Sequence, residues 1–553
     1  VRAVAAAVTL ALGASTASPA FAADKLDVPI ASKARRPEPL PPGDRIELSL
    51  QRAIELSLRN TLDLDVASFT YEKSAFSIMG AQGAFDPFAQ LDLTASRTKA
   101  PVVSTFQAGE TKQQQANLTF GQFVPTGGSY QFRFTNTRSD APTGFTIFNP
   151  TLSSGVSLSA VQPLLRNGWF AVNRRFIVQA RIARDASAWD FVRSLQTTVL
   201  SVEDAYWDLV YALDNLAAKQ EALDRAKDLN RITKIKIDVG ALAPIDIVQT
   251  EVTIAQREQD IILAEGLIGD AQDRLKRLMN VMATVDWNRP IAPTDRPTAS
   301  PMTVDLDGGI KSAFETRPEV KQAVIDIESK KVQLAYTRNQ LLPRLDLSGS
   351  IGFNGIGTGP TSICDNPNFA PADCLANGGT LIPLNTSYVD ALYSVRSFDF
   401  PAWSIGITLN VPIGNRVARS NHSIARTDLE LSRTNLTLLK ENVTVEVRAA
   451  ARAIDTAFRS VAAATKAREL AERNLDAEKK KYENGMTTSF QVAQIQNDLT
   501  TARSNELQTI SIYAKSIAAW HKAIGDILPE RNIAVTGIPV TLEATPPEEG
   551  GVR

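Results

Sequence analysis

The chain of 553 residues carries 59 basic and 60 acidic side chains, so no charge excess marks it for nucleic acid. Its two histidines, His422 and His521, lie far apart and outside any Cys/His/carboxylate cluster, which leaves a metal site or histidine-based catalysis little to work with. Phosphate-binding glycine loops, G-x-S-x-G elbows and H-E-x-x-H helices are absent, so neither catalysis nor a bound cofactor is expected.

The first segment reads as an export signal over residues 1–22. Arg2 is followed by the small apolar run AVAAAVTLALGA and by Ala20-Phe21-Ala22, the charged, apolar and A-x-A parts of a secretory leader. The run is too short and too alanine-rich for a membrane anchor. Ala23, not a cysteine, follows the cleavage site, which argues against a lipid anchor there. Residues 23–43, DKLDVPIASKARRPEPLPP within them, read as a basic, proline-rich linker and a candidate partner contact.

A first unit spans residues 44–300. It opens with a helical stretch, LQRAIELSLRNTLDLDVA, and then changes to period-two segments: AQLDLTA, YQFRFTN and GVSLSAV. A tight turn, VPTGGS (124–129), contrasts with an expected long loop from Arg97 to Gln113. After Gln162-Pro163 the period changes again. Val192, Leu195, Val199, Val202, Tyr206 and Leu209 step by three and four, the seam of a coiled coil, with Glu203, Asp204 and Asp208 between them. Gly240 interrupts this long helix, and a second amphipathic run returns to Met279-Asn280.

A second unit, 301–528, repeats the order. LDGGIKSAFETRPEVKQAV is helical; RLDLSGSI and WSIGITLNV alternate strictly. In the latter Trp403, Ile405, Ile407 and Leu409 share one face, while Ser404, Gly406 and Thr408 share the other. Such a strand with one greasy and one wet face suits lipid or the core of a soluble sandwich; export and alternating loop lengths favour a membrane barrel. The long loop Gly355–Arg396 contains Cys364 and Cys374, which in an oxidising compartment either clip the loop as a disulfide or remain two free thiols. Past Val411-Pro412 a new seam runs through Leu439, Val443, Val447, Ile454 and Val461 to Gly485, and a helix returns to Ala523-Ile524. Helices of about 65 residues span about 100 Å and need partners side by side. Residues 529–553 read as a disordered Pro/Gly/Glu-rich tail.

The two units therefore follow one plan: short helix, strands, proline, long helix, glycine tip, returning helix. Arg59 is matched with Arg317, and Gly240 with Gly485. The first unit has an additional hairpin, about Tyr130 to Val161, that either joins the strands or covers them. Trp169-Phe170 and Trp403 suit an interfacial aromatic belt or ordinary packing.

In this ordered duplication, and in the tip pattern of Tyr482, Gly485 and Gln491-Val492, the chain resembles the TolC family of outer-membrane efflux proteins over about Asp44 to Leu528. The resemblance implies a mixed α and β membrane protein: a homotrimer whose strands pool into one transmembrane β-barrel in outer-membrane lipid. That barrel would continue into a long periplasmic α-helical barrel of coiled-coil hairpins built from two internal repeats. The implied role is an exit duct for efflux or secretion, working with a periplasmic adaptor and an inner-membrane pump. A secreted coiled-coil scaffold or adhesin without a pore explains the heptads but not the strands; an exported enzyme explains the leader alone.

The resemblance also implies a gate at the helical tips. Tyr482 and Asp246 match the family's linking tyrosine and aspartate, but Thr487 stands where the family has an arginine. The family's ring of acidic residues falls on Gln491 and Gln494 in the second tip and on Asp246 and Gln249 in the first. Weaker cation block is therefore expected. A glycine is needed at each reversal on backbone grounds alone, so docking at the tips comes from the resemblance.

Overall fold

The computed structural model describes residues 44–104, 107–142, 148–281, 285–359, 361–365, 374–384, 386–533 and 535. The expected leader and linker lie outside the described residues, as does the tail beyond 535.

The chain begins with strand β1 (Ile46–Leu48) and two helices, α1 (Leu50–Asn60) and α2 (Leu62–Gln82). Ser49 starts α1 by accepting the Arg52 backbone N–H at 3.3 Å. Four strands follow: β2 (Phe88–Lys99), β3 (Glu110–Phe123), β4 (Ser129–Asp140) and β5 (Thr151–Pro163). A 64-residue helix, α3 (Arg175–Asp238), and its return, α4 (Asp246–Leu278), make the first long hairpin. Strand β6 (Ile291–Pro293) then lies parallel to β1.

Helices α5 (Leu306–Thr316) and α6 (Pro318–Asn339) open the second half. Asp305 caps α5 by accepting from Gly308 N–H at 3.0 Å, and Pro318 supplies the first residue of α6, where its missing N–H costs nothing. Strand β7 (Arg344–Thr358) leads to a small hairpin, β8 (Thr361–Cys364) and β9 (Leu381–Leu384), and to helix α7 (Tyr388–Ser397). Strand β10 (Pro401–Asn410) runs into the 68-residue α8 (Arg416–Glu483), and α9 (Ser489–Ile524) returns.

Six strands form one antiparallel sheet in the order β10-β7-β5-β4-β3-β2. Strands from both halves meet where β5 pairs with β7, Leu158 opposite Ile351. The additional hairpin is thus part of this sheet. All the long helices leave from one end of it. The turn at 124–128 is at that helical end, and the longer connections are at the far end.

Four sequence expectations change. The loop between β2 and β3 is 100–109, because the polar run at 110–115 pairs with β2, Lys99 opposite Glu110 and Arg97 opposite Lys112. The stretch 355–396 holds the end of β7, the β8–β9 hairpin and α7, whose start is fixed by reciprocal Ser387 and Asp390 bonds. The break between short helices falls at Thr61 and at Arg317, so Arg317 corresponds to Thr61 and Arg59 lies in the last turn of α1. Finally, the tail reading starts too early. A helical turn covers Ile527–Glu530, and Arg531 makes a two-bond pair with Glu203 at 2.7 Å each. Glu203 has 0% exposure on α3, so a carboxylate placed between seam positions is a buried anchor for that segment.

Three apolar clusters hold the helices. The largest surrounds Tyr206 and joins α3 to β1, α1 and α4 through Val199, Val202, Ile46, Ile54 and Leu275. The Tyr206 hydroxyl donates to Leu48 O at 3.0 Å and accepts from Asp295 N–H at 3.1 Å, so the buried ring leaves no polar atom unmatched. A second cluster packs Val443, Val447 and Ile454 of α8 against Tyr513 and Trp520 of α9. The third lies at the tips, with Leu229, Leu475, Tyr482 and Val492.

Candidate functional site

The two tips close by the same backbone device. Gly240 and Gly485 have φ of 78° and 75°, a conformation that costs a side-chain-bearing residue about 1 kcal/mol or more. The next residue's N–H then reaches back five positions, Ala241 to Lys236 O at 2.8 Å and Met486 to Lys481 O at 2.9 Å. No atom lies within 4 Å of a Cβ built on either glycine, so backbone conformation, not crowding, selects glycine.

Between the tips the two hairpins touch through Tyr482. Its hydroxyl shares a 2.8 Å hydrogen bond with Thr233, whose side chain is buried. The Lys236 ammonium sits 4.1 Å from the Tyr482 ring centroid and donates to Tyr482 O. Burial pushes the Tyr482 phenol above its ordinary range, with the Thr233 bond opposing and the nearby Asp246 charge adding. Asp246 opens α4, where an acid also suits the helix dipole.

Thr487 makes a local contact instead of a cross-hairpin link. Its hydroxyl donates to Glu478 Oε1 at 2.6 Å, and Lys481 holds the other oxygen at 3.1 Å. These two donors keep the Glu478 carboxyl below the usual range. Gln249 of α4 and Gln494 of α9 line one groove, together with Phe490 and Arg257. Arg257 bridges it, bonding Asn497 Oδ1 at 2.9 Å and Asp260 at 3.0 Å. Gln491 is exposed, its backbone N–H taken by Thr488.

Thr233, Lys236 and Glu478 were not selected from the sequence. Lys236 had one usable signal: it stands four residues before Gly240, as Lys481 stands four before Gly485.

At the other end of the molecule Trp403, Ile405, Ile407 and Leu409 of β10 are 75%, 74%, 68% and 61% exposed. Cross-strand register places Ile351 and Leu347 of β7 on the same face, opposite Trp403 and Ile407. The apolar face continues through Leu158 and Val156 of β5, then Phe132 and Phe134 of β4. Phe120 and Leu118 of β3 and Leu91 of β2 complete it. The reverse face carries Ser, Thr, Asn and Gln, for example Ser350, Ser159, Gln131 and Asn117. Strands of ten to fifteen residues with this patterning match the length a tilted membrane strand needs. Beyond the sheet, Cys364 and Cys374 are joined as a disulfide beside β8. Among the described residues no helix is long and apolar enough to cross a membrane.

Comparisons with known proteins agree with this architecture. A family model described as outer membrane efflux protein matches residues 53–281 and 309–526. Nodulation protein T of Rhizobium leguminosarum bv. trifolii is 22% identical over 358 residues, 64% of this chain and 69% of that relative. The Campylobacter jejuni CmeC outer membrane channel is similar in fold, with 17% identity, 86% of each chain covered and a TM-score of 0.57. The outer membrane protein VceC of Vibrio cholerae gives 14% identity, 86% and 96% coverage and a TM-score of 0.58.

Proposed function

The chain belongs to the outer membrane efflux protein family, and from that premise we propose that it forms a passive, homotrimeric exit duct. Its place is the outer membrane, with a periplasmic extension. The observation that carries the reading is the six-stranded sheet, greasy on one face and polar on the other, whose outermost strands β2 and β10 each have one neighbour. Lipid does not tolerate open strand edges, and six strands do not enclose a lumen. Three copies would pair β10 of one with β2 of the next and pool eighteen strands, a size at which barrels hold an aqueous channel. The paired long helices, about 95–100 Å at 1.5 Å per residue, would extend that channel across the periplasm.

The tips are the proposed entrance, docking a periplasmic adaptor and receiving cargo from an inner-membrane pump. No nucleotide or proton-relay motif is evident in the sequence, so energy would come from those partners. Tyr482, Thr233 and Lys236 would hold the two hairpins of one protomer together in the resting state. With Thr487, Gln491 and Gln494 uncharged, Asp246 would be the acidic residue left at the family's ring positions.

The test starts with the mass of the full-length protein extracted in mild detergent, corrected for bound detergent. A trimer is expected; a monomer or dimer overturns the shared barrel. Planar-bilayer conductance of the same material follows, with divalent cations added on the tip side. Weak block that disappears in Asp246→Ala is expected, and equal block in both proteins removes Asp246 from the mouth.

A further inference from the structure

The outward face of the sheet does not end alike at its two margins. On the margin next to the helices, the positions flanking the apolar band are Gln122, Tyr130 and Gln162, none of them charged. On the far margin the same face carries Arg97 and Lys99 of β2, Lys112 of β3 and Arg138 of β4. Register fixes this placement: Arg97 and Lys99 continue the parity of Leu91 and Leu93, and Lys112 that of Leu118. Arg138 lies opposite Gln114 and continues the parity of Phe132 and Phe134.

Against those four cations the face offers Glu110 and Asp140. Glu110 is shared three ways, with Arg97 at 2.5 Å, Lys112 at 3.4 Å and Lys99 at 3.8 Å, and Arg138 is exposed. At this margin strands β2 to β4 are left with an excess of two positive charges, while the α7 segment adds Arg396 against Asp390 and Asp399.

The neighbouring part of the margin, over β5 and β7, is covered by α7. This helix lies on the outward face too. Gly355 and Gly357 continue the parity of Phe353, and a Cβ on Gly357 would meet the Ser387 carbonyl that starts α7. A Cβ at Gly355 would overlap the Ala391 carbonyl, so glycine there allows the helix to rest on the strand. Phe398, just past α7, stacks edge-on against Phe353 at 4.5 Å, joining the ledge to the top of the apolar band. Val389 and Tyr393 of α7 point away from the sheet, each 68% exposed. Aromatic and apolar groups at this height, with cations beside them, are what a membrane interface selects.

We infer that the far margin of the outward face is a docking surface for phosphate-bearing lipid headgroups of the outer leaflet, with Arg97, Lys99, Lys112 and Arg138 receiving the phosphates and α7 forming a ledge against the lipid. The inference rests on the strand-spanning, outer-membrane reading above. Because the helices mark the periplasmic side, the far margin is the one at outer-leaflet headgroups. Charge complementarity and continuity with the lipid-facing band select the occupant, since a phosphate on an acyl-chain lipid satisfies both at once.

The test uses the full-length protein in mild detergent and native mass spectrometry, titrating diphosphorylated lipid A, the same lipid with its phosphates removed, and phosphatidylcholine. The variant is Arg97→Gln/Lys99→Gln/Lys112→Gln/Arg138→Gln, with Lys112→Gln/Arg138→Gln as a milder second variant. Arg133→Gln, a cation on the opposite face of β4, is the control. Wild type and control are expected to retain the diphosphorylated lipid about tenfold or more better than the fourfold variant. The milder variant is expected to fall between them. The dephosphorylated lipid and phosphatidylcholine are expected to bind all forms weakly and alike. Equal retention of the phosphorylated lipid by wild type and both variants overturns the proposal, and so does indifference to removal of the phosphates. Displacement by millimolar inorganic phosphate overturns the lipid assignment in favour of a free-anion site. Oligomer mass reports on the duct separately and is expected to be unchanged in every variant, as is conductance in the two lipid-face variants.

Discussion

The residue that ties the two tips together is Tyr482, and its energetics are local. Thr233 is fully buried and its hydroxyl is matched by the Tyr482 hydroxyl alone among the bonds found between the hairpins. Removing one member of a buried polar pair costs about 1–3 kcal/mol, whereas replacing both with apolar groups of similar shape is nearly neutral. Tyr482→Phe is therefore expected to raise resting conductance and to loosen the tips toward added protease, and Tyr482→Phe with Thr233→Val to recover most of both. Unchanged conductance and protection in the single variant would sink the role assigned to this bond. Both tip glycines were legible in the sequence, because only backbone conformation selects them, while Tyr482 and Asp246 were named through the family resemblance. Thr233 was not legible, since its partner lies 249 positions away, and Lys236 offered only its spacing from Gly240, its partner lying 246 positions away.

Periodicity decides what can be read of an element. The heptad seams appear in the structure as buried stripes, Val199, Val202 and Tyr206 on α3 and Val443, Val447 and Ile454 on α8, because each position repeats the same burial. In β10 the alternation is complete, and it predicts opposite outcomes for adjacent residues. Ile407→Lys places a charge on the lipid face, at a cost of about 2–4 kcal/mol near the bilayer midplane, and is expected to deplete the protein from the outer membrane. Thr408→Lys faces the polar side and is expected to insert normally and to alter ion selectivity; equal loss of both variants from the membrane fraction would contradict the assignment of faces. Strand β3 was not named from the sequence, and its start was read as loop, because its first residues, ETKQQQ, are polar on both faces. Its outward Lys112 and Gln114 lie above the apolar band, where water and headgroups replace acyl chains and alternation carries no signal. Helix α7 was read as loop for a related reason: ten residues, with only Ala391 and Val395 fully covered, are too few to set a period.

At the scale of the whole molecule, the sequence by itself determined the long helices, most of the long strands, their order and the two reversals. Each of these is written in local burial or local backbone conformation: a step of three and four for helices against helices, a step of two for strands between lipid and water, glycine where φ turns positive. Together with the ordered duplication they were enough to point to the family. Tertiary structure alone decided which elements meet. It set β5 beside β7 so that both halves share one sheet, and it incorporated the additional hairpin into that sheet. It seated α7 on the outward face, and it buried Glu203 against Arg531 across 328 residues of chain. A glutamate between seam positions reads from sequence as a solvated charge; only the arrival of a distant arginine makes its burial tolerable. The physical reason is the same in every case. Local pattern records how much of a side chain leaves water, and the choice of partner depends on which surfaces the folded chain brings together.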